Sequence, residues 1–210
     1  MIKRGFRGLL LFALALCIAA PAASADPVPG QAIIGAGDVL RGRFTEERQM
    51  KGFNAPLRAN GHFVVAPGQG LIWAIEKPFP TTSIITPKGL AQEVGGINVM
   101  QTGTKKIPFL LHLYDMLGGV LAGDWHVLEK DFIMTRAGDD REWEVDLQPR
   151  QANNPAMPFN SIIIKGSRYV ASALLVKPDG DSDYLTFSGE QVTRAPVSPS
   201  EQAAIDSVGR

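Results

Sequence analysis

The side chains most able to do chemistry are few and poorly grouped. His62, His112 and His126 are the three histidines. None has the H-E-x-x-H or paired spacing that would set two imidazoles on one helical face around a metal. Each reads as a surface or helix-flank residue. Cys17 is the single cysteine, so the chain can form neither an internal disulfide nor a multi-thiolate zinc site. No G-x-S-x-G sequence marks a nucleophile elbow. Gly35-Ala36-Gly37 lacks the third glycine and the preceding strand of a dinucleotide loop. Gly68-Gln69-Gly70 lies between two apolar runs and reads as a hairpin turn.

Asp179-Gly180-Asp181-Ser182-Asp183, with Glu190 at the twelfth position, has the outline of a calcium loop. Tyr184 stands where that loop needs glycine, and Tyr184-Leu185-Thr186-Phe187 reads as strand, so a solvated turn is the better reading. Glu142, Glu144 and Asp146 alternate with Trp143, Val145 and Leu147. They therefore fall on the solvent face of a strand, away from the desolvated setting that acid–base catalysis needs. These patterns predict no catalytic residue, no metal and no cofactor. The weight moves from catalysis to binding.

The elements that would position a binding surface are mostly strands. Ten short runs are divided by Gly, Pro, Asn or Asp: Phe44–Lys51, Gly61–Ala66, Leu71–Glu76, Thr81–Thr86, Leu90–Val94, Phe132–Arg136, Glu142–Leu147, Ser161–Lys165, Tyr169–Val176 and Tyr184–Ser188. This is the cadence of an antiparallel sheet. Leu71, Trp73 and Ile75 share one face of their run, opposite Ile72, Ala74 and Glu76. A helical period replaces the strand period at Pro108. Leu110, Leu113, Tyr114, Leu117 and Leu121 follow at i, i+3, i+4 spacing, predicting an amphipathic helix over 108–122 that Gly118-Gly119 weakens. Asp124 is placed to cap a second short helix through Leu128, and Pro199–Asp206 reads as a terminal helical turn. A sheet of about ten strands curls. The expected fold is thus mainly β: a half-closed antiparallel barrel with helix 108–122 as its lid.

Composition bounds the partners. Lys and Arg total 21 and Asp and Glu total 21, so no cationic surplus exists to neutralise nucleic-acid phosphates. Lys3, Arg4 and Arg7, then the uncharged run Gly8 to Ala20, then Ala23-Ser24-Ala25 give the three-part form of a secretory signal. The apolar run has 13 residues, short of the roughly 20 that span a bilayer. Cleavage near Ala25 removes three basic residues, no acidic residue and Cys17. The expected exported chain is mildly acidic, cysteine-free and periplasmic, a single domain over 26–210. Leu16 before Cys17 argues against a lipid-modified N-terminus.

Several pieces resemble the LolA-like periplasmic carriers of lipoproteins and other lipids. They are Leu40-Arg41-Gly42-Arg43-Phe44-Thr45-Glu46-Glu47-Arg48, Leu71-Ile72-Trp73 with Lys77-Pro78, Gly123-Asp124-Trp125, the Phe132 to Trp143 hairpin, Leu147-Gln148-Pro149-Arg150, and Ile162 to Gly166. The resemblance covers about residues 38–190. It implies an open barrel lined with apolar residues, a lipid or lipidated cargo, an inner-membrane exporter as donor and an outer-membrane acceptor. Two features depart from the family pattern. Ala66 stands where such carriers place an Arg before the turn proline, and the opening helix is replaced by the Gly-rich stretch 30–37. Both favour a glycolipid, fatty acyl or polyene-lipid cargo over a lipoprotein. The expected cavity and lid residues are Phe63, Val65, Leu71, Trp73, Ile75, Leu110, Leu113, Leu117, Trp143, Val145 and Ile164, in a monomer without nucleic acid. The alternative is a sensor or interaction module using the same half-barrel.

Overall fold

The computed structural model describes residues 34–103, 116–151 and 159–208. The signal-like leader, Pro108, Leu110, His112 and Leu113 lie outside the described residues. Eleven strands are present: β1 Val39–Gln49, β2 Leu57–Ala66, β3 Gly70–Lys77, β4 Thr81–Thr86, β5 Gly89–Val94, β6 Ile97–Gly103, β7 Phe132–Gly138, β8 Trp143–Pro149, β9 Ser161–Gly166, β10 Val170–Val176 and β11 Ser182–Thr193. Residues 116–122 are helical (α1), followed by α2 at His126–Glu129 and α3 at Pro199–Ser207.

All strands join one antiparallel sheet in the order β6-β5-β4-β3-β2-β1-β11-β10-β9-β8-β7. Two meanders meet at the β1–β11 pair, and β6 and β7 are the outermost strands among the described residues. Irregular registers at Arg41/Arg43, Gln92/Glu93 and Val170/Ser172 add the local twist that bends a long sheet. The result is the curled, half-closed sheet with a helical cover that the strand cadence predicts. The count differs by one. The added strand is β6, whose residues are almost all exposed and therefore carry no alternation. The outer ends of β1 and β11 also run five residues further than the apolar runs indicate.

Burial follows the strand period on both faces. Along β8, Trp143, Val145 and Leu147 are fully buried, whereas Glu142 is exposed and Glu144 and Asp146 are half-buried. Two cross-strand pairs explain the close packing. Phe63 lies over Gly42, and Trp143 over Gly166, where any Cβ would come within 2.5 and 2.4 Å of the ring. The Trp143 indole N–H also donates to the Ser167 carbonyl. Phe44, Phe63, Trp73 and Phe187 form an aromatic cluster on the same inner face, with Phe44 and Trp73 stacked at 3.9 Å.

The opposite face carries a second, smaller core. Val39, Val64, Ala66, Ile72, Ile84 and Ala91 pack under α3 with Val197, Ile205 and Val208. Ser198 caps α3 through a capping box with Glu201, and Pro199 occupies its first turn. Glu201 also receives a two-pronged ion pair from Arg41 of β1, at 2.8 and 2.6 Å. The Arg41 hydrogen bond is the main cause that lowers the Glu201 pKa from 4.5 to about 2. One carboxylate thus caps the helix and fastens it to the sheet. No helix among the described residues is long and apolar enough to cross a membrane.

Candidate functional site

The inner face is where the expected site residues meet. Phe63, Val65, Leu71, Trp143, Val145 and Ile164 are buried in one apolar cluster, and Trp73, Ile75 and Leu117 pack against it. Strand alternation brings them together from β2, β3, β8 and β9. Leu117 comes from α1, which lies over the sheet as a cover with Met116, Val120, Leu121 and Ala122.

The α1 cover is held at its C-terminal end. The Ile34 backbone N–H donates to the Ala122 carbonyl at 2.7 Å, and Asp124 N–H to the Gly119 carbonyl at 2.8 Å. These bonds satisfy carbonyls that a helix end leaves open. Asp124 differs from its expected role. Trp125 is the residue at the α2 N-cap and provides no side-chain cap, while Asp124 Oδ1 accepts the His126 N–H at 3.2 Å. Residues 116–122 hold no charged side chain, so nothing in this segment can form a side-chain ion pair with the sheet.

Beneath α1 lies an apolar void of about 60 Å³. Of the expected residues, Leu117 and Ile164 line it. Its other walls include Leu147, Ile162, Ala173, Leu175, Leu185 and Phe187. The sequence reading missed the contribution of β10 and β11, although Leu185 and Phe187 alternate with Tyr184 and Thr186. Phe63 and Trp73 instead belong to the packed aromatic cluster. A void of this size holds about two waters and falls well below the roughly 300–1,000 Å³ of ligand pockets. A long acyl chain exceeds this volume.

A second, open cleft of about 340 Å³ lies at the C-terminal end of α1. Ile34, Val65, Pro67, Gly119, Asp124 and Val127 are among its lining residues. Ala66 is not. Its side chain faces α3 and is fully buried, so a long cation at this position would enter the α3-side core. The inference about cargo from a missing Arg at this position therefore loses its geometric basis.

Most titratable groups lie on the outer surface, but Glu46, Arg48 and Asp183 fall on the inner face, in register with Phe44, Leu185 and Phe187. His62 Nδ1 lies 2.8 Å from Glu76, which also accepts a 2.7 Å hydrogen bond from Arg43. Arg43 first, then His62, lowers the Glu76 pKa from 4.5 to about 2. His126 neighbours Glu129 at 3.1 Å. Asp183 is a buried carboxylate held by Arg48 and Lys177, each at 2.8 Å. Asp181 N–H donates to Asp179 Oδ1 at 3.0 Å in the β10–β11 connection, the turn that its sequence predicts. Among the described residues, no group of three or more His, Cys, Asp or Glu could hold a metal ion.

A family model described as outer membrane lipoprotein carrier protein LolA-like matches residues 19–196. The chain belongs to the LolA-like family. This family is one of periplasmic lipid- and lipoprotein-binding carriers, typically without enzymatic activity. No curated protein matches the chain. Solved structures similar to it include a LolA superfamily protein from Nitrosomonas europaea, 9% identical, covering 80% of this chain and 91% of that one, with a TM-score of 0.41. LprF from Mycobacterium bovis is 14% identical, covers 76% and 87%, and scores 0.36. The complex of MucA and MucB from Pseudomonas aeruginosa matches at 14% identity over 78% and 54%, and scores 0.33.

Proposed function

We propose that this LolA-like chain is a periplasmic carrier for the hydrocarbon part of a lipid, glycolipid or lipoprotein, exported after loss of its leader near Ala25. It receives cargo from an inner-membrane exporter and yields it to an outer-membrane acceptor. The observation that supports this reading is the uncharged, glycine-containing segment 116–122 lying on the apolar inner face of a curved sheet.

The energetics favour exchange of α1 for an acyl chain. Burial of a CH₂ is worth about 0.8 kcal/mol, so a long acyl chain gains on the order of 10 kcal/mol by leaving water. Met116 and Leu121 are buried and contribute about 1.5–3 kcal/mol each, and the half-buried Leu117 and Val120 about half as much each. The two sums are of the same order. Displacing α1 by cargo is then nearly balanced, which is what reversible loading and release require. A tighter-binding acceptor supplies the direction.

The proposed contact surface is Phe63, Val65, Leu71, Trp73, Ile75, Trp143, Val145 and Ile164, with Leu117 on the moving side. Native mass spectrometry and lipid extraction of protein purified from periplasm test the proposal, together with transfer of labelled lipid between vesicles. Bound lipid and transfer are the expected results. Absence of both overturns the carrier reading, and a stoichiometric protein partner without transfer replaces it with the sensor module.

A further inference from the structure

Three successive hairpins leave the same end of the sheet: the β1–β2, β3–β4 and β5–β6 connections. Each carries a large apolar side chain in solvent. Phe53 is 60% exposed, Phe79 78% and Ile97 70%, with Leu57 and Val94 exposed beside them. Neighbouring hairpins are two strand spacings apart, about 10 Å. Isolated exposed apolar residues are ordinary, but a row of them along one rim marks an interaction surface.

This rim is continuous with the inner apolar face. Phe44 pairs with Gly61, Gly61 with Ile75, Ile75 with Thr81, Thr81 with Val94 and Val94 with Ile97. Exposure rises along that row from the buried Phe44 through the half-buried Ile75 to the exposed Ile97. Cations accompany the tips. Lys51 precedes Phe53 by two residues, Lys77 precedes Phe79 by two, and Arg58 follows Leu57, all exposed. Arg58 shares its charge with Glu47 at 3.0 Å. Asp179 and Asp181 occupy the next connection, β10–β11, where Asp181 accepts the Lys51 backbone N–H. Lys51 therefore lies directly beside this acidic turn, and Lys77 beyond it, next to Glu76.

We infer that this rim, with Phe53, Phe79 and Ile97 as its tips and Lys51 and Lys77 beside them, docks on an anionic lipid bilayer. Separate fingers spaced across a curved sheet offer no continuous groove for a peptide. A fluid apolar layer accepts all of them at once, and its anionic headgroups pair with the flanking lysines. Docked in this way, the exposed end of the inner face meets the bilayer surface. The purpose of docking rests on the carrier reading; its geometry does not.

The test is flotation of protein purified from periplasm, its N-terminus read by mass spectrometry, with vesicles of phosphatidylethanolamine and phosphatidylglycerol. The F53S/F79S/I97S triple variant should partition roughly tenfold or more weakly, with an unchanged melting curve because all three sites are exposed. K51Q/K77Q should lose roughly tenfold on these vesicles and nothing on purely phosphatidylcholine ones. A wild-type protein that carries bound lipid yet fails to float overturns docking and leaves the carrier reading standing. A protein that neither holds nor transfers lipid yet floats through these tips keeps docking and removes the carrier reading. Flotation unchanged in the triple variant overturns the inference. So does a dimer, measured without vesicles, that the triple variant abolishes.

Discussion

The two faces of the sheet are closed by helices built on opposite principles. On one face, α3 has a proline start, and its capping box and its ion pair to β1 converge on Glu201. On the other, α1 has two adjacent glycines, no charge and a void beneath it. Polar fastening fixes a helix in one position, since its partners have directions and distances. Apart from backbone bonds at its C-terminal end, α1 meets the sheet through apolar contact, which anything of similar hydrophobicity could replace. Under the proposed function, α3 is the fixed cover and α1 the one that cargo would replace.

The largest test of this contrast removes the inner wall. Trp143→Ala leaves a cavity against Trp125 and Gly166 and should cost about 3–5 kcal/mol in urea unfolding. On the α3 side, Ile205→Ala should cost about 2 kcal/mol and leave the amount of copurified lipid unchanged. Equal loss of lipid in both variants would erase the distinction between the faces.

Gly119→Ala probes the replaceable cover directly. The new methyl would meet Val127 Cγ2 at 2.5 Å and the Asp124 carbonyl at 2.9 Å. That overlap costs about 1–3 kcal/mol, against a helix-propensity gain of about 1 kcal/mol. The net should be a loss of about 1 kcal/mol in stability, with faster lipid uptake in the vesicle assay. Slower uptake would mean that α1 does not move as the cover.

Smallest is the polar clamp. Arg41→Ala should cost about 1 kcal/mol. Because the Glu201 pKa lies below its unfolded value, the clamp stabilises fully above pH 4.5 and is lost as pH falls toward 2. Unfolding measured across that interval should flatten in Arg41→Ala relative to the wild type. An unchanged acid slope would assign that dependence to other groups, with the exposed Glu76 shifted in the same direction.

The inner face was legible in the sequence because its strands are covered unequally. Trp143, Val145 and Leu147 alternate with acids, and that alternation alone fixes which way each side chain points. β2 to β4 are harder to read. Val64-Val65-Ala66 and Leu71-Ile72 are apolar at every position because α3 covers the face opposite α1. A two-sided run names no preferred face, so the second core was not separable from the first. β6 was missed for the reverse reason: its residues face solvent on both sides, and burial imposed no pattern. The capping box at Ser198 and Glu201 was present in the sequence, but its tie to Arg41, 160 positions away in the chain, was not. The void beneath α1 depends on how side chains from five or more elements fill space, which no local spacing encodes.

The meeting of β1 and β11 at the middle of the sheet also sets a timetable. β1 enters any compartment first when the chain is threaded from its N-terminus, and β11 enters almost last. The central seam, Phe44 against Phe187 and Arg48 against Asp183, cannot close until the last strand of the sheet has arrived. Each meander can be assembled beforehand from local pairings, but joining them waits on the most distant contact in the chain. A sheet built this way stays in two halves until its last strand arrives.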